Sequence, residues 1–199
     1  MINEIMEIMI KKITILFFAL ALTGNLTGQK NKQENQVNVI ILIGDGMGLS
    51  HFSVPYYYQD KEPVFSQFKH IGLVRTSSAT HTITESAAAA TAMFMGRKTY
   101  NSAIGVDSDT VAHKNLVEVL SELGYQTGVI STSSITDATP AGFYAHEDSR
   151  DNHRAIARDL VHSEIDFFAG GGLKHFVQTS GEDLFKKNNL YVDFSRVNK

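Results

Sequence analysis

Four short stretches carry side chains that could do chemistry together. IGDGMG holds Asp45, TESAAAATA holds Ser86, ITDATPAGFYAH holds Asp137 and Thr139, and HEDSRDNHR holds Arg150. Glycines flanking Asp45 let the backbone turn sharply and approach an ion, although Asp and Gly also dominate plain turns. Ser86 opens an alanine-rich helix, where unpaired N–H groups and the positive end of the macrodipole favour an anion such as a phosphoryl group. The plainer use of Ser86, or of Thr84 before it, is as a helix N-cap. A serine nucleophile needs a base or a cation to activate it, and TESAA contains no convincing base, so the search for an activator returns to Asp45 as a metal ligand. Asp137 and Thr139, two residues apart, can both face one hard cation of the magnesium type. They can equally shape a turn with Pro140 at a first helical position. Arg150 can offer a planar fork to a phosphate, or it can share a solvated helix face with Arg154, Asp148 and Asp151.

The elements that must position these groups alternate along the chain. VNVIILIGDG (37–46) is a β-branched run closed by glycines, which predicts a buried strand and a turn, and HIGLV (70–74) predicts a weaker strand. SAAAATAMFMG (86–96) predicts a helix, because alanine loses no side-chain entropy and Gly96 offers a left-handed stop. Leu116, Val119, Leu120 and Leu123 recur at helical spacing up to Gly124. YQTGVIST (125–132) returns to strand character, a helix runs over about 152–162 with Ile156 and Leu160 on one face, and IDFFAGGG (165–172) reads as a further strand. This alternation predicts an α/β fold, a doubly wound, mainly parallel sheet with helices on both faces. In such a sheet ligands sit beyond the carboxyl ends of the strands, where the Asp45 and Asp137 stretches fall. The glycine spacing is neither GxGxxG nor a P-loop.

Composition limits the partners. The 199 residues are 43% hydrophobic and 20% charged with a net charge of −3, so there is material for one core and no broad cationic field for nucleic acid. Lys11 and Lys12 precede the apolar run ITILFFALAL (13–22), followed by small and polar residues through Gly28. That order predicts a secretory signal over 1–28 and a polar linker over 29–36, hence a periplasmic or secreted protein with no stable membrane span after cleavage. With no cysteine, any metal must sit on Asp, Glu, His or hydroxyl oxygens.

Together, VIILIGDGMG, TESAAAATAMFMGRKTYNSAIGVD, GVISTSSITDATPAGFYAHEDSR and IDFFAGGG resemble the alkaline phosphatase family in order and wording, over residues 37 to 176. The resemblance implies phosphate monoester hydrolysis through a phosphoserine on Ser86, with Zn2+ and Mg2+ as cofactors. It implies that Asp45 bridges the second zinc and the magnesium, that Ser86 meets that zinc, that Asp137 and Thr139 serve magnesium, and that Arg150 grips phosphate oxygens. It also leaves a homodimer open for the full-length form. Glu85 stands where the family usually has aspartate, so the carboxylate expected to steady Arg150 is one methylene longer. The family's remaining metal ligands match nothing up to Lys199, and none of the eight histidines matches one. Residues 37–199 are therefore expected to be the amino-terminal part of a larger catalytic domain, incomplete at its C-terminus and inactive alone. The alternative is a noncatalytic exported module that binds phosphate or magnesium.

Overall fold

The structure, a computed structural model, describes residues 37–188. The signal and linker expected over 1–36 lie outside the described residues, and among the described residues no helix is long and apolar enough to cross a membrane. Two compact units divide between Leu42 and Ile43; every element below belongs to the second.

The helices are α1 (Leu49–Tyr58), α2 (Ser86–Met95), α3 (Leu116–Glu122), α4 (Ala138–Ala141), α5 (His153–His162) and α6 (Leu184–Lys187), with short 3-10 turns at Val64–Gln67 and Leu173–His175. Strands β1 (Gly128–Ser134) and β2 (Phe167–Gly171) pair in parallel, with Gly128 opposite Phe167 and Ile130 opposite Ala169. The chain between them runs through α4 and α5, the crossover that a parallel pair requires.

Local sequence accounts for most of these elements. Gly96 ends α2 in the left-handed region at φ +68°, its N–H donating to Ala92 C=O at 3.1 Å. Asn115 and Glu118 close a reciprocal capping box at the start of α3: the Asn115 side chain accepts from Glu118 N–H at 3.1 Å, and the Glu118 carboxylate accepts from Asn115 N–H at 2.8 Å. Helix α5 buries Ile156, Ala157, Leu160 and Val161, the stripe its spacing predicts. The core gathers these with Ile104, Val117, Ile135, Tyr144, Phe176 and Leu184, where each fully buried Ile or Leu contributes about 1.5–3 kcal/mol. Burial pushes the Tyr144 phenol well above its usual pKa, and its hydroxyl donates to Ile135 C=O at 2.8 Å.

Two expected strands are not formed. Residues 37–44 and 70–74 carry no strand ladder, and Ile40 and Leu73 are 84% and 97% exposed. Their side chains suit a buried strand, but a strand exists only where a neighbouring backbone accepts and donates the ladder, a non-local condition. Helix α1 was not expected, because Pro55 and the three tyrosines after it interrupt any amphipathic pattern; none of its residues is buried. Pro140 occupies the third position of α4 rather than the first, where its missing N–H is still one of the unpaired donors of a helix start.

The contact that matters most for function is α2 against α4. A Cβ on Gly142, just after α4, would lie 2.5 Å from the Ala90 Cβ of α2, so these backbones approach closer than any side chain allows. Gly142→Ala is expected to lower stability by about 1–3 kcal/mol through overpacking, read by chemical denaturation. An unchanged midpoint would mean that the two helices do not bear on each other as described.

Candidate active site

Asp45 sits in a turn closed by Met47 N–H donating to Gly44 C=O at 3.1 Å. Gly46 takes φ +66°, a conformation that L side chains rarely adopt, so the glycine after Asp45 is what permits this tight reversal. The turn presents the Asp45 carboxylate to two hydroxyls. Ser86 Oγ, on the first residue of α2, lies 3.0 Å from both Asp45 oxygens, and Thr139 Oγ1, on the second residue of α4, donates to Asp45 Oδ2 at 2.6 Å. The close α2–α4 packing thus brings two hydroxyls 53 residues apart in sequence onto one carboxylate that is itself remote from both.

The cap of α2 is Glu85 rather than Ser86 or Thr84. Its Oε2 accepts from Ala87 N–H at 2.9 Å and its Oε1 from Ala88 N–H at 2.8 Å. Ser86 is therefore released from a capping role, and the plainer reading of it falls. The same bonds correct a second expectation, because two of the first-turn N–H groups thought available to an anion are already occupied by Glu85. Glu85 Oε1 also accepts from Ser102 N–H at 2.8 Å, and Oε2 accepts from Arg150 Nη1 at 2.6 Å in an ion pair. Burial alone would raise the Glu85 pKa; the backbone N–H groups of Ser102, Ala87 and Ala88 and the Arg150 guanidinium outweigh it and hold the carboxyl below its ordinary 4.5. A depressed carboxylate adds stability that is complete above the unfolded value and is lost as pH falls through the folded one. Glu85→Gln is accordingly expected to flatten the acid side of the stability profile below about pH 4.5, measured by denaturation at stepped pH. A profile as steep as the parent's would mean that Glu85 is not held ionised by these donors.

Arg150 is held at its main chain as well. Residues 102–104 run beside 147–150: Ile104 and Glu147 exchange N–H···O=C bonds at 2.8 and 2.7 Å, and Arg150 N–H donates to Ser102 C=O at 2.8 Å. Thr91, buried in α2, donates to Ala103 C=O at 3.1 Å and accepts from Gly105 N–H at 3.0 Å, fixing that loop to the helix that carries Ser86. Apart from the Nη1 bond to Glu85, the Arg150 guanidinium makes no hydrogen bond among the described residues, and its side chain is 37% exposed.

Of the residues singled out in the sequence, the structure joins Asp45, Ser86 and Thr139 directly and brings Arg150 to the residue before Ser86. Asp137 is the N-cap of α4 and makes no side-chain cap bond; its carboxylate, like that of Asp45, only accepts, so no hydrogen bond joins the two. His175 stacks on His153 with ring centroids 4.4 Å apart, and burial, followed by the neighbouring His153, pulls its pKa down. This pair, the capping role of Glu85 and the part played by Ser102 were not anticipated. No local motif marks them; each arises from segments that meet only in the fold.

The donors gathered on Asp45 are one carboxylate and two hydroxyls, a hard oxygen set of the kind magnesium takes. Zinc, which favours imidazole and thiolate alongside carboxylate, finds no nitrogen donor in this cluster, and among the described residues no group of three or more His, Cys, Asp or Glu is gathered. The arrangement can orient a serine hydroxyl, offer oxygen donors to a hard cation and hold a guanidinium on the residue before that serine.

Known proteins resemble the chain over most of its length. Residues 36–191 match the family model for alkaline phosphatase. Alkaline phosphatase 3 of Bacillus subtilis (strain 168) is 40% identical over 184 residues, covering 85% of this chain and 38% of that protein. Alkaline phosphatase of Escherichia coli (strain K12) is 33% identical over 172 residues, 72% of this chain and 36% of that one. The alkaline phosphatase of the Antarctic bacterium TAB5 superposes with a TM-score of 0.74 at 46% identity, over 80% of this chain and 50% of that chain. Its His 135 Asp mutant, solved with Mg bound in the M3 site, superposes with a TM-score of 0.73. The chain thus spans between about a third and a half of the length of these relatives.

Proposed function

Because the chain belongs to the alkaline phosphatase family, we propose that the protein hydrolyses phosphate monoesters through a phosphoserine on Ser86. The observation that carries this reading is the position of Ser86 Oγ, at 3.0 Å from both Asp45 oxygens, with Glu85 tying Arg150 to the residue before it. Ser86 Oγ forms a bond to phosphorus as the ester P–O bond breaks, and the leaving alcohol carries away a proton; water then cleaves the phosphoserine to free phosphate. Asp45 orients the hydroxyl by accepting its hydrogen bond. Arg150 grips the non-bridging oxygens with the N–H groups that Glu85 leaves unused, which favours the phosphoryl group over any particular alcohol. Asp45, Asp137 and Thr139 would hold magnesium, and Asp45 with Ser86 would meet a zinc; a cation at Ser86 would supply positive charge to activate its hydroxyl. Zn2+ belongs to the proposal through the family, although this cluster alone supplies too few donors for it. Export is proposed from the basic and apolar order of residues 11–22, and cell fractionation checks it.

The test is hydrolysis of an aryl phosphate and of the matching diester, with Zn2+ and Mg2+ supplied or chelated. Monoester cleavage that chelation stops supports the reading; faster diester cleavage, or cleavage indifferent to chelation, contradicts it. A second reading is phosphate and magnesium binding without turnover, on the same Asp45, Ser86 and Thr139 oxygens and the Arg150 guanidinium. Calorimetric binding of phosphate and magnesium with no hydrolysis would select it.

A further inference from the structure

Ser102 has a left-handed backbone at φ +85°, a region that non-glycine residues occupy at an energetic cost and mostly where surrounding bonds impose it. Here those bonds all lead to one place. Its N–H donates to Glu85 Oε1 at 2.8 Å, its C=O accepts from Arg150 N–H at 2.8 Å, and its Oγ lies 3.3 Å from Ser149 Oγ. Glu85 in turn binds the Arg150 guanidinium at 2.6 Å. The backbone of one residue therefore holds Arg150 at both ends, directly at the main chain and through a carboxylate at the side chain. The next residues are pinned to α2 by Thr91, so the Ser102 peptide cannot turn over without breaking these links.

We infer that Ser102 is a positioning residue for phosphate capture, its left-handed backbone setting where the Arg150 guanidinium stands relative to Ser86. The inference rests on the proposed phosphate role of Arg150. A β-branched side chain is strongly disfavoured at φ +85° and drives the backbone toward negative φ, swinging the N–H off Glu85 and the C=O off Arg150. Glycine accepts the same conformation freely and keeps both backbone bonds.

The experiment titrates the full chain, supplied with Mg2+ and Zn2+, with inorganic phosphate by calorimetry, comparing Ser102→Gly, Ser102→Val, Ser102→Thr and Arg150→Ala after circular dichroism has checked folding. Glycine is expected to hold the dissociation constant within about twofold of the parent, whereas valine weakens it about tenfold or more, the scale of one charge-assisted contact. Should the valine variant fail to fold, threonine carries the same branch and is expected to weaken binding about threefold or more relative to glycine. A merely structural role would lower the unfolding midpoint and leave the dissociation constant of the folded protein alone. Folded valine or threonine variants that bind phosphate as tightly as the glycine variant overturn the inference, as does a glycine variant that loses affinity as valine does. If Arg150→Ala leaves binding untouched, or the parent binds no phosphate, the reading of the site itself fails. If Arg150→Ala abolishes binding while position 102 has no effect, only the inference about Ser102 is lost.

Discussion

In the full-length form, Ser86→Ala is expected to abolish aryl phosphate hydrolysis while leaving the melting temperature nearly unchanged. The two halves of that expectation come from separate observations. Chemistry is lost because Ser86 Oγ is the hydroxyl aligned on Asp45, at 3.0 Å from each carboxylate oxygen, and Thr139 on the same carboxylate is committed by a 2.6 Å bond of its own. Stability is kept because Ser86 does not cap its helix. Glu85 does, through Ala87 and Ala88, and alanine is itself a strong helix former. Had Ser86 been the cap, the same substitution would cost about 1 kcal/mol and confuse a folding defect with a catalytic one. Hydrolysis measured beside thermal denaturation separates these cases. Residual turnover comparable to the parent's would remove Ser86 from the chemistry.

Asp45→Asn is the second large effect. The amide keeps the shape of the side chain and the turn that Gly46 permits, yet removes the negative charge that faces both hydroxyls. A hard divalent cation draws most of its binding from carboxylate charge, and a neutral amide in its place is expected to weaken magnesium affinity about 10- to 100-fold, the scale seen when a metal site's ligand shell is altered. Magnesium titration by calorimetry checks this, and an affinity equal to the parent's would mean that Asp45 is a turn residue only.

Much of this site can be read from sequence, and the rest is hidden for definite reasons. Helices α2, α3 and α5 and the strand character of β1 and β2 follow from short-range signals: alanine content with Gly96 as stop, the recurrence of Leu116, Val119 and Leu120, the Ile156–Leu160 stripe, and apolar runs bounded by glycine. The runs at 37–44 and 70–74 carry equally good strand composition without forming strands, because pairing depends on a distant partner that composition cannot report. Asp45, Ser86, Thr139 and Arg150 were identifiable by type and by the family's wording, and the fold brings them together. Asp137 was identifiable in the same way, and as an acceptor-only carboxylate it makes no hydrogen bond to Asp45. Glu85 was expected to steady Arg150, and it does, but its capping role was not visible. Its longer side chain spans Ala87, Ala88, Ser102 and Arg150 at once, which becomes apparent only when all four donors are placed. The positive φ of Ser102 has no sequence signature, since Asn-Ser-Ala is an ordinary loop sequence, and Gly142 shows its purpose only against Ala90.

The most direct test of the central claim is to find where phosphorus goes. The full-length form, incubated with an aryl phosphate in Zn2+ and Mg2+ and quenched in acid, is digested and its peptides are mapped by mass spectrometry. The account predicts a phosphoryl group on the peptide containing Ser86, absent after chelation and absent in Ser86→Ala. A phosphoryl group on any other residue, or hydrolysis that proceeds with Ser86 never modified, would contradict it.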